Sequence, residues 1–171
     1  VLHHLLRRRA AVITRDVRKE IPFPDGTVSA INASHVFEHF TADEAKLVLK
    51  ECKRVMSPGA RLRIGVPDTM GLIHRYVNGK MDELASHIQD EYKAVKTEGL
   101  KFSLVFFAAG ASDLMTYRGH KSCYDHESLR ELLRFGGFKE CYPMRYNESP
   151  VEMLRGIDEH PDITIWVEAV R

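Results

Sequence analysis

The side chains best suited to chemistry in this sequence are histidines standing close to carboxylates. His35, Glu38 and His39 spell H-x-x-E-H within the run A-S-H-V-F-E-H. On one regular helix that spacing sets two imidazoles and a carboxylate side by side, the pattern with which zinc peptidases hold a metal and activate water. Both histidines must then lie inside the helix. Here a strand runs to about Ala33 and the next helix starts only at Thr41, so the context is wrong and no metal site is expected. His120 follows a long helical stretch and precedes a capped helix, where substrate loops would gather, and Tyr124 comes shortly after it. Asp16 closes a short strand candidate, and Asp68 follows Pro67 at the end of another. His3 and His4 stand beside Arg7, Arg8 and Arg9 and read as an exposed helix end rather than a metal or nucleic-acid contact.

The elements that must position these residues are legible from spacing. Residues 1–9 read as the end of an amphipathic helix, 11–14 as a short strand, and Pro22, Pro24, Asp25 and Gly26 as a loop. Val28 to Ala33 is mostly apolar and reads as a strand buried on both faces. Thr41 with Glu44 makes a capping box, and Ala45, Val48, Leu49, Cys52, Val55 and Met56 form one core-facing helical stripe. Ser57-Pro58-Gly59 stops that helix. Leu62, Ile64 and Val66 then alternate with Arg61, Arg63 and Gly65 as a strand. Strand, helix and strand with short connections form a right-handed parallel crossover, so the class is α/β. Residues 69–119 read as an irregular helical insertion, with segments near 69–78, 81–97 and 101–115, of the kind that supplies a lid or substrate pocket. Asp125 caps a helix carrying Leu129, Leu132, Leu133 and Phe135 and closing at Gly136-Gly137. Strands are expected at 138–142 and 163–170, the last turning Ile163, Ile165, Val167 and Ala169 inward. Residues 1–171 are read as one domain, N-terminally incomplete.

Composition sets limits. Twenty-five Lys and Arg balance twenty-four Asp and Glu among 171 residues, so charge gives no reason to expect nucleic acid as partner. The longest nearly apolar run, Phe102 to Ala111, spans about ten residues against the roughly twenty a membrane helix needs. Cys52, Cys123 and Cys141 form no C-x-x-C pair and fit free thiols in a reducing cytoplasm.

In order and spacing, D-x-R-x-x-x-P-F-P-D from Asp16, A-S-H-V-F-E-H, K-R-V-M-S-P-G, V-P-D, G-H-K-S-x-Y-D from Gly119 and F-G-G-F from Phe135 make the chain resemble a class I S-adenosylmethionine-dependent methyltransferase of the type 11 family, over roughly Asp16 to Arg171. The resemblance implies a Rossmann-like three-layer α/β sandwich with a mostly parallel sheet, an antiparallel last strand and strand order 3-2-1-4-5-7-6. Residues 11–14, 28–33, 61–66, 138–142 and 163–170 match strands 3, 4, 5, 6 and 7, and strands 1 and 2 have no counterpart. Strand 1 carries the family's glycine loop, and no Gly-x-Gly occurs in this sequence. A fragment is therefore expected; completion by another chain or second copy along the exposed sheet edge, or a rearranged sheet, are the alternatives.

By the same resemblance Asp16 would accept from the cofactor's adenine amino group and Val17 would offer its backbone N–H to the ring, the plain alternative being that Asp16 simply ends a strand. Ala33, Ser34 and His35 lie at a strand's C-terminal end, where ligands collect; for Ser34 and His35 this contact stands against simple loop hydrogen bonding. His120 and His35 are the candidate catalytic bases, with His39 and Tyr124 as further candidates. Asp68 and Tyr124 are candidate substrate contacts, Asp68 alternatively capping the next helix. The implied function is methyl transfer from S-adenosylmethionine to a small-molecule acceptor. The alternative is a methyltransferase-like binding or scaffold protein that has lost the cofactor.

Overall fold

The computed structural model describes residues 13–87, 96–108 and 119–171. Four strands, β1 (Val28–Ser34), β2 (Met56–Pro67), β3 (Glu140–Met144) and β4 (Thr164–Val170), form one sheet in the order β1-β2-β4-β3. β1 and β2 pair in parallel, with Ile31 opposite Leu62 and Ser34 opposite Gly65. β4 runs antiparallel to both of its neighbours. The order and directions are those expected of strands 4, 5, 7 and 6, and the class is α/β and Rossmann-like as read from the sequence.

The β1–β2 crossover is α1 (Ala42–Val55). Its capping box is present: Thr41 Oγ1 accepts from the Glu44 N–H at 3.3 Å, and the Glu44 carboxylate accepts from the Thr41 N–H at 2.9 Å. The stripe Ala45, Val48, Leu49, Cys52 and Val55 is buried. Each fully buried Leu or Val in it contributes about 1.5–3 kcal/mol. It meets Leu62, Ile64 and Val66 of β2, Ile165, Val167 and Ala169 of β4, and Leu129, Leu132 and Leu133 of α4 (His126–Phe135) in one core. Asp125 caps α4 by accepting from the Ser128 N–H at 2.8 Å. Gly136 ends α4 directly over α1, where a Cβ would stand 2.7 Å from that of Leu49; Gly137 then leaves the helix at φ +86°.

The opposite face of β2 departs from the expected alternation. Arg63 alternates with Leu62 and Ile64 and so lies on the other face, yet it is completely buried. Its guanidinium donates to the Asp158 carboxylate, to Glu168 at 2.9 Å, and to the carbonyls of Glu148 and Arg145. The connection between β3 and β4 thus folds over this face and is held there by one cation. β1 departs in the other direction. The strand expected to be buried on both faces is half-exposed, with Ser29 and Asn32 open to solvent. It pairs on one side only, with β2, and so forms the edge of the described sheet.

Ile13 and Thr14, the described part of the 11–14 strand, make no ladder, and no described strand lies beside them. The expected helix at residues 1–9 lies outside the described residues. In the insertion, α2 (Thr69–Val77) matches the first expected segment, a 3-10 stretch covers Met81–His87, and α3 (Glu98–Ala108) covers part of the third. Leu72, Met81, Leu84 and Val105 form a second, smaller core there. The parts of these segments at 88–95 and 109–118 lie outside the described residues.

Candidate functional site

The parallel strands β1 and β2 end on the same side of the sheet, and most of the candidate residues gather at that edge. β1 stops at Ser34 and hands the chain to His35, whose φ of +53° is left-handed. A residue other than glycine holds that conformation only where its surroundings fix it. Here the His35 N–H donates to Gly65 of β2 at 2.9 Å, and Nε2 lies 3.0 Å from Thr164 Oγ1 at the start of β4. The turn aims the ring across the strand ends, with Nδ1 3.2 Å from Glu38 Oε1 and the ring edge-on to His160 at 5.4 Å.

Phe37, Glu38 and His39 make one 3-10 turn rather than an α-helix, so the zinc-peptidase arrangement of His35 and His39 on one helical face does not form, as expected. The turn drives Phe37 into the core and buries Glu38 to 1% exposure. The Glu38 carbonyl accepts from the N–H groups of Lys121 (2.7 Å) and Ser122 (3.1 Å), and Ser122 Oγ donates to the Phe40 carbonyl at 2.8 Å. These bonds clamp the 119–125 loop onto the turn. His120 is thereby carried to His39, the two rings meeting edge-to-face at 5.0 Å.

Tyr124 forms a β-bridge with Asp68, which joins this loop to the end of β2. Tyr124 is buried, and burial pushes its phenol above the usual range, with the Glu38 charge acting in the same direction. The Asp68 carboxylate accepts from the Gly71 N–H at 2.9 Å and caps α2, so of its two readings the helix cap is what the geometry shows. Ala33 is buried, and Ser34 lies half-buried in the ladder opposite Gly65. Asp16 is set apart: both of its carboxylate oxygens accept from Arg18, which holds its pKa down at about 2. Val17 packs on the main core. His35, His39 and His120 therefore share one edge with Tyr124, while Asp16 is taken up by an ion pair. His160 and the burial of Glu38 are not evident from spacing; the 3-10 turn that points Glu38 inward has no signal there.

Residues 2–64 match the family model described as a methyltransferase domain. Over that stretch, a little over a third of its length, the chain is similar to methyltransferases. No curated protein matches it. Among solved structures it is similar to an S-adenosylmethionine-dependent methyltransferase from Archaeoglobus fulgidus, at 15% identity and a TM-score of 0.50, covering 99% of this chain and 71% of that one. One from Thermotoga maritima gives 13%, 0.50, 98% and 67% in the same terms. A protein from Bordetella parapertussis gives 11% and 0.51, with 92% of this chain covered and 42% of the other. The chain spans only 35% of a longer chain from Nostoc punctiforme that it also resembles. Likeness at these identities concerns the fold.

The described residues match the cofactor of that family on one wall only. The strand end at Ala33–His35 and the Val17 backbone are available, but Asp16 is engaged by Arg18 and no Gly-x-Gly loop exists in the sequence. Glycines in such a loop let the backbone approach the ligand, so these residues do not close a cofactor cradle.

Proposed function

We propose that this chain supplies the acceptor side of a methyl transfer from S-adenosylmethionine to a small molecule. The observation that carries the reading is the convergence of His35, His39 and His120 with Tyr124 at the C-terminal edge of β1 and β2, in a chain whose residues 2–64 match a methyltransferase-domain model. In open α/β sheets that edge is where ligands bind. A hydroxyl or amine acceptor must lose a proton as it is methylated, and an imidazole titrating near neutrality is suited to take it. His120 and His39 are half-buried neighbours on two clamped loops, so one ring can accept the proton while the other orients the acceptor. His35, fixed between Thr164 and Glu38, positions rather than reacts. The donor's cradle is then completed by a further segment or by a second chain along the open edge of β1. Free thiols and near-neutral charge fit a cytoplasmic protein acting on a small molecule.

A second reading, a binding or scaffold protein that has lost the cofactor, is favoured by the absent Gly-x-Gly and by the engagement of Asp16 with Arg18. Calorimetric titration of S-adenosylhomocysteine separates the two. Saturable heat from this chain, or from it joined to its upstream coding sequence, supports methyl transfer. No heat from either well-folded protein overturns it and leaves the scaffold.

A further inference from the structure

Among the described residues, Glu38, His39 and His120 each offer one ligand atom, and the three atoms lie within 4.8 Å of one another. We propose that this cluster binds a divalent transition-metal ion through two imidazole nitrogens and one carboxylate oxygen. The set is not the H-x-x-E-H helix site, in which the second histidine would be His35. It draws that histidine from the 119–125 loop, far along the chain, and the backbone bonds from Lys121 and Ser122 to the Glu38 carbonyl hold the two pieces in register.

The second observation is the state of Glu38. Its side chain is 1% exposed, and neither carboxylate oxygen has a hydrogen-bond partner among the described residues. His35 Nδ1 stands 3.2 Å from Oε1 without hydrogen-bond geometry. A buried carboxylate without a hydrogen bond is costly unless a positive group compensates it, and among the described residues no lysine or arginine side chain pairs with it. A divalent ion between Glu38 and the two rings would supply that charge. Two imidazoles and a carboxylate suit zinc, cobalt or ferrous iron rather than calcium or magnesium, and three protein ligands leave a coordination position open to a small molecule, while both rings, as ligands, no longer serve as the proton acceptor proposed above. His35, anchored by Thr164, stands 3.2 Å from the Glu38 carboxylate, in the place that outer-shell partners take at metal sites.

The test needs neither methyl donor nor acceptor, so its failure is separate from failure of the methyl-transfer reading. Co2+ alone is titrated into the chain carrying His3→Ala and His4→Ala, with d–d absorption and melting temperature as readouts and Zn2+ as competitor. The expected result is saturable one-to-one binding that raises the melting temperature. Glu38→Gln, which keeps size and shape, and His120→Ala should each weaken it more than 100-fold. His35→Ala should weaken it roughly 10- to 100-fold, and the exposed His74→Ala should leave it unchanged. No binding by the folded chain at millimolar Co2+, or binding that persists in both Glu38→Gln and His120→Ala, overturns the proposal. So does binding that vanishes with His3 and His4.

Discussion

Replacing Arg63 by methionine tests whether the far face of the sheet is held by one buried charge. All five N–H groups of the guanidinium are used: Nε and Nη2 on Asp158, Nη1 on Glu168 and the Glu148 carbonyl, and Nη2 also on the Arg145 carbonyl. Arg63 and Glu168 are fully buried, and the Asp158 side chain is 1% exposed. Methionine fills most of the volume but leaves Asp158 with no cation and Glu168 with Arg61 alone, 3.4 Å away. Removing one partner of a buried ion pair costs about 3–5 kcal/mol, most of it for the charge left behind. For a domain of this size that lowers the melting temperature by roughly 6–20 °C. Urea denaturation followed by Trp166 fluorescence reads the change directly. Adding Asp158→Asn and Glu168→Gln to Arg63→Met should recover a good part of the loss, because the stranded charges are then gone. A single-variant loss below about 1 kcal/mol would refute the account, since such a loss is that of an exposed pair. A triple variant no more stable than the single one would refute it too, by assigning the cost to shape.

Two further outcomes are expected. The Glu44 carboxyl is held down at about 2, first by the Thr41 N–H and then by Arg18 and Lys121. Its ordinary value of 4.5 applies when the chain unfolds, so its contribution is complete above about pH 4.5 and is lost as pH falls towards 2. Glu44→Gln should flatten the stability–pH profile in that window, measured by urea denaturation, and an unchanged slope would dismiss the capping box as the source. Burial pushes the Cys52 thiol up to about 12, whereas Cys123 is exposed. Iodoacetamide at pH 8 should alkylate Cys123 in the native protein and Cys52 only after denaturation. Peptide mass spectrometry giving equal rates would contradict the packing of α1.

What the sequence made legible is what local chemistry decides. Thr41 and Glu44, Asp68, and Asp125 each mark a helix start with a side chain that satisfies a backbone N–H within the next turn, and all three caps are present. The strands of the crossover announced themselves by apolar spacing. The burial of Arg63 was not legible, because alternation assigns only a face, while the groups that make its burial tolerable are Asp158 and Glu168, far downstream. β1 misled because its apolar content implies two covered faces, and coverage depends on neighbours that spacing does not report. At the site, His35, His39 and His120 were legible as candidate types, but their meeting was not. It depends on a left-handed His35 and on two backbone bonds to the Glu38 carbonyl, neither of which has a sequence signature.

The place of β4 bears on how such a chain acquires its structure during synthesis. β1, α1 and β2 are continuous in sequence, so their parallel pairing can form while later residues are still being added. β3 is made next, yet it has no hydrogen-bonding neighbour of its own until β4 inserts between it and β2. Glu168, which completes the shell around Arg63, arrives on that same strand. Until β4 emerges, the nascent protein therefore displays one edge of β2, an unpaired β3 and an arginine lacking one of its two buried carboxylates together. Edges of this kind invite pairing with other chains, so closure of this sheet waits on the synthesis of β4.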